Sequence, residues 1–292
     1  SPPSMRPSAI DPGSRKSPCS CNTVKLSPAT AMTNNNNNNW IGEQLRLTIF
    51  TQKGTPIPRD KYEGIWESLG LGVADNTNTN KAGTSNYQKE WQSCGLILQV
   101  QKSRIDLIAR DDPAAAAANE EDTAEGNAES EESILIRNEV AFNALCKKIL
   151  AGAPTSYINR LAIGKIAQIR HESQTEVNEY LAKRLSDKVK INTEKMSDFL
   201  FRCNEADPSE SVPKIRINRL VEWSSLKQVT VQVDALGTRS NPLNEFFVEQ
   251  LQIDINTVPQ EDAIIQREQS IALYEEMVNL GTRIFLEAAL HE

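Results

Sequence analysis

The chain has 292 residues, 39% hydrophobic and 24% charged, which is material for one large folded unit or two ordinary ones. Its net charge of -7 is unevenly placed: Asp111–Glu132 holds nine acidic residues and no basic one, and leaving those nine out gives +2. A nearly neutral remainder argues against a broad basic surface for duplex nucleic acid, and no run approaches the roughly 20 apolar residues of a membrane-spanning helix.

The leading SPPSMRPSAIDPGSRKSPCSC lacks the apolar core of a secretory signal, and Met32 fits a start with Ser1–Ala31 as upstream sequence. The cysteines are Cys19, Cys21, Cys94, Cys146 and Cys203, an odd set without metal or disulfide-framework spacing. Reduced thiols and a cytoplasmic protein are the expectation.

Residues 1–39, ending in an asparagine run, are too polar to bury surface and are expected to be disordered. Order is expected from Trp40. LRLTIF alternates as a strand, and Tyr62, Ile65, Trp66 and Leu69 after Pro58 carry helical spacing. ADNTNTNKAGTSN is expected to be an exposed loop. GLILQVQKSRIDLIARD is expected to be a β-hairpin with its turn at QKSR.

The acidic stretch 111–132 is expected to be a disordered surface insertion within an N-terminal half, 40–155. SILIRNEVAFNALCKKILAG is expected to start as a short strand and continue as a helix to Gly152. Residues 156–292 form a C-terminal half, continuous with the first. It opens on the strand YINRLAIGK, followed by a helix in ESQTEVNEYLAKRLSDK that His171 begins. DFLFRC, KIRINRLVEW, KQVTVQVDAL and FFVEQLQIDINTV supply four further strands, and a helix from about Asp262 to Leu290 closes the chain. Consecutive strands without intervening helices predict an α+β fold: antiparallel sheet, helices packed on one face, and a long C-terminal helix.

INRL occurs twice, at Ile158–Leu161 and Ile217–Leu220. Equal alternation in two strands of one sheet predicts Arg160 and Arg219 on one face and Leu161 and Leu220 buried under a helix. Arg160, Arg219 and Trp223 are therefore the candidate binding residues, two guanidiniums for a phosphate or carboxylate and an indole to stack on. The plainer use of each arginine is to cover the sheet or pair with Glu222 or Asp254.

No catalytic residue, metal ligand set or cofactor is indicated. The two histidines, His171 and His291, supply no triad or metal cluster, and no phosphate-cradling glycine motif occurs.

GLILQVQKSRIDLIARD, YINRLAIGK, DFLFRCN, RINRLVEW and LQIDINTVP followed by a long helix occur in this order in a sporadically distributed bacterial family without an assigned function, which the chain from Trp40 onward resembles. The resemblance implies a shared α+β fold and supplies no catalytic residues; the acidic insertion departs from it. The expected function is a non-catalytic binding or interaction protein whose partner is another protein. The scattered distribution implies an accessory of a horizontally transferred locus, in defence or toxin regulation. The alternative is a ligand-binding or enzymatic domain with an anion-binding pocket near Arg160, Arg219 and Trp223.

Overall fold

A computed structural model of the chain describes residues 40–52, 55–111, 134–152, 158–186, 188–190, 192–233, 239–258 and 264–290. The leader and all of the acidic insertion after Asp111 lie outside the described residues.

The described strands are β1 (Ile41–Thr51), β2 (Asn76–Thr79), β3 (Ser85–Trp91), β4 (Cys94–Gln101), β5 (Arg104–Asp111), β6 (Ile158–His171), β7 (Phe199–Pro208), β8 (Arg216–Val233) and β9 (Arg239–Thr257). The described α-helices are α1 (Tyr62–Glu67), α2 (Ile134–Gly152), α3 (Gln174–Arg184) and α4 (Arg267–Leu290). All nine strands form one antiparallel sheet in the order β2-β3-β4-β5-β1-β6-β9-β8-β7. The chain is α+β. β1 pairs with β5 on one side and β6 on the other, so both halves of the sequence share this sheet.

Alternation divides the sheet into two unlike faces. On one face Leu45, Leu47 and Ile49 of β1 stand beside Leu107 of β5 and Leu161 of β6, all buried. The helices cover this side: Trp66 of α1 stacks on Tyr87, Lys165 pairs with Glu139 of α2, and Arg184 of α3 pairs with Glu249. Gly281 of α4 rides over Ile255 and Ile163, where an added Cβ would sit 3.5 Å and 3.7 Å from their Cδ1 atoms. Among the described residues no helix packs on the opposite face.

Several elements differ from expectation. The polar stretch read as a loop is the β2–β3 hairpin, whose turn is closed by the Thr84 N–H donating to Asn80 Oδ1 and by Gly83 at φ +83°. Low apolar content hid it, because its first strand is wholly exposed. The SILIR segment is helical from Ile134: Leu135, Phe142, Cys146 and Ile149 form one buried stripe, and a continuous apolar start does not distinguish strand from helix. Arg216–Trp223 and Lys227–Val233, expected as parts of two strands, are one strand, β8, because Ser224 and Ser225 continue its pairing with β9. His171 does not begin a helix. It ends β6 and is buried, while Ser173 caps α3 by accepting the Glu176 N–H.

Candidate functional site

The three sequence-predicted residues do not meet. Both INRL segments lie in the one sheet, with β9 between them, yet their arginines stand on opposite faces. The cause is a β-bulge: Phe50 pairs with Arg160 and Thr51 with Ile158, leaving Asn159 as an extra residue. Ile158 and Ile217 both face the helices, but the bulge turns Arg160 outward, whereas Arg219, two residues after Ile217, stays on the helical side.

Arg160 lies on the helix-free face, where its Nη2 donates to Asn256 Oδ1 at 2.9 Å and its guanidinium lies 4.9 Å from the Phe50 ring centroid. Arg219 pairs with Glu205 at 3.2 Å and with Asp207, two acids of the neighbouring strand β7. Trp223 is buried on the helical side, its ring 6.1 Å from that of Trp40. It does meet an arginine, but that arginine is Arg184, 5.9 Å from its ring and 5.2 Å from that of Trp40. Arg184 forms part of a buried locus with Glu249 and His171, whose Nε2 lies 3.5 Å from Glu249 Oε2. That locus ties α3 to the sheet and, through Arg184 Nη1 donating to Ala288 O, to the end of α4.

The helix-free face is built differently. Arg46, Arg104 and Arg160 occupy its middle. Arg104 grips Asp106 with two nitrogens, at 2.6 Å and 2.7 Å, and Thr48 Oγ1 donates to the same carboxylate at 2.6 Å. Arg104 also lies 5.5 Å from the Phe50 centroid, so two guanidiniums share that ring. Arg46 crosses over β6 to Asp254 of β9 at 2.9 Å. The crossing passes Gly164, where a Cβ would lie 3.2 Å from Arg46 Nη2. Asn256 Nδ2 donates to Asp254 Oδ1 and so joins this pair to Arg160.

Strand alternation places Arg110, Arg170, Arg202 and Arg216 on the same face, against the carboxylates Glu90, Asp106, Glu222 and Asp254. Its described strand positions carry no lysine. Amides fill much of the rest: Gln168 donates to Gln250, and Gln228 donates to Gln168. Neither a family model nor a curated protein matches the chain.

At the Arg170 end, burial raises the Asp111 carboxyl to about 6, with the nearby Glu43 adding to the rise and Arg170 opposing it. Burial also raises Glu43, which Arg170 and a hydrogen bond with Gln228 partly offset. On the helical side, a cavity of about 240 Å³ lies among Ile49, Ile57, Ile65, Ile105 and Ile158, with Lys61 and Ser68 also on its wall. Among the described residues no group of three or more His, Cys, Asp or Glu side chains is placed to hold a metal ion, and no helix is long and apolar enough to cross a membrane.

Sequence reasoning missed Arg46, Arg104, Phe50 and Gly164. A usable signal was present: RLTIF, SRIDLIAR and RLAIGKIAQIR carry arginine at alternate positions opposite the apolar set.

Proposed function

We propose that the chain is a non-catalytic binding protein that takes an anionic partner on the helix-free face of its sheet. The observation carrying this is the arginine-rich make-up of that face, seven arginines against Glu90, Asp106, Glu222 and Asp254, with Glu43 and Asp111 beside Arg170 at one end, on a chain whose net charge is -7. A net-negative chain attracts an anion only through a local surface of opposite sign. An enclosed pocket of Arg160, Arg219 and Trp223 has no such support, because β-sheet separates the first from the other two. An accessory role in a transferred defence or toxin-regulating locus rests on the family resemblance alone. So does a protein as the partner class rest on sequence, and an acidic protein surface would satisfy the charge of this face.

Dextran sulfate is a suitable probe, since it offers charge without shape. The full chain is expected to bind it at low ionic strength. Arg110→Glu with Arg202→Glu, both on the helix-free face, is expected to weaken binding strongly, while Arg137→Glu on α2 leaves it unchanged. Absence of binding, or equal loss in both variants, overturns the proposal.

A further inference from the structure

We infer that the anionic partner is single-stranded nucleic acid laid along β6. This rests on the anion-binding role proposed above for the helix-free face and names its occupant.

Arg160 and Arg170 stand on that face at the two ends of an eleven-residue stretch of β6, ten steps of ~3.3 Å or about 33 Å. Each end carries a guanidinium on a phenylalanine: Arg160 over Phe50 at 4.9 Å, and Arg170 over Phe246 at 4.7 Å. Between them the strand presents Ala162, Gly164, Ile166 and Gln168, and the Arg46 side chain crosses it at Gly164, adding a third guanidinium at the middle of the track. Of the carboxylates near this track, Asp254 on β9 is already engaged by Arg46 and Asn256, while Glu43 and Asp111 lie near Arg170.

Three features select the occupant. A guanidinium over a ring can offer its other plane to a second π-system, and an unpaired base has the π-face to stack there. The amides of Gln250 and Gln228, linked through the buried Gln168, bring hydrogen-bonding groups to this face, which suit base edges and are of no use to a featureless polyanion. Arginines that lie along the sheet, with no lysines projecting beyond them, make a poor cradle for a stiff duplex whose bases are stacked inside. An acidic peptide would meet the charge but has nothing to place on the guanidinium planes.

The test uses the full chain and fluorescein-labelled single strands of about 12 nucleotides, within the ~4–16 usual for one such surface, as U-rich and A-rich RNA and the matching DNA. Duplexes of the same length, dextran sulfate and polyglutamate serve as comparators. Single strands are expected to bind more tightly than duplex, with affinity falling as salt rises. Arg160→Lys with Arg170→Lys keeps the charge and removes the planes. It is expected to weaken single-strand binding about tenfold while dextran sulfate binding stays the same. Arg170→Lys alone, at an exposed position, is expected to show part of that loss in a chain of unaltered melting temperature. Duplex binding as tight as single-strand binding, indifference to the lysine substitutions, or preference for polyglutamate each overturns the inference. Dextran sulfate bound through this face, with no preference for single strands, overturns it while the anion-binding face stands.

Discussion

Arg184 Nε lies 2.7 Å from Glu249 Oε1, and the two side chains are 2% and 0% exposed. Rings of Trp40 and Trp223 flank the guanidinium, and His171 completes the locus, its ring 4.9 Å from that of Tyr180. Removing one member leaves the other charged in an apolar surround. Glu249→Gln is therefore expected to cost about 3–5 kcal/mol in urea denaturation. The double variant Arg184→Met, Glu249→Leu should recover most of that loss. A double variant as unstable as Glu249→Gln would mean that the pair, not merely its balance, holds α3 in place.

The two leucines of the INRL echo should respond unequally. Leu161 is wholly buried beneath the helices, whereas Leu220 stands on the helix-free face opposite Asp254 and is only half-buried. Leu161→Ala should cost about 2–5 kcal/mol, and Leu220→Ala under about 1 kcal/mol, as for most surface changes. Equal losses in thermal or chemical melts would contradict the assignment of faces.

Asp111 should impose a pH dependence. Its folded carboxyl titrates near 6 because burial opposes the charge, against an ordinary value of 3.8. The folded chain thus binds this proton more tightly than the unfolded one. That contribution is complete below about pH 4 and is lost as pH rises through 6. Asp111→Asn should flatten the fall of melting temperature between these values and leave the variant more stable than wild type at pH 7. An unchanged slope would show that Asp111 is solvated in the folded chain.

Thiol reactivity should separate the described cysteines. Cys146 is fully buried and desolvation pushes it up to about 12, while burial also raises Cys94. Cys203 is half-buried on the edge strand β7. Iodoacetamide at pH 8 should alkylate Cys203 in the native protein, and Cys94 and Cys146 only after denaturation. Peptide mass mapping reads this directly, and native labelling of Cys146 would refute its placement in the core.

The class of fold was legible because its cues are local. Alternation in LRLTIF and GLILQVQKSRIDLIARD, and the helical stripe near the C-terminus, needed no tertiary information. The face of Arg160 was not legible, since the bulge at Asn159 exists only through pairing with Phe50 and Thr51. His171 was misjudged for a similar reason. The helix after it begins at Gln174, and only the opposite strand supplies the buried Glu249 beside it. Trp223 was noticed for its stacking capacity, but its partner, Arg184, comes from a helix some forty residues earlier in the chain.

The place of β9 between β6 and β8 sets the order in which the sheet can be completed. β6 is flanked by β1 early in synthesis, but its other edge stays unpaired until the chain has been made through Thr257. β8 cannot join the sheet except through β9, so its place too waits on completion of β9. Pairing of this sequence separation closes large loops before it gains contacts, which slows folding. A nascent chain halted between β8 and β9 would expose the open flank of β6 to neighbouring chains, making that interval of synthesis the one most in need of a chaperone.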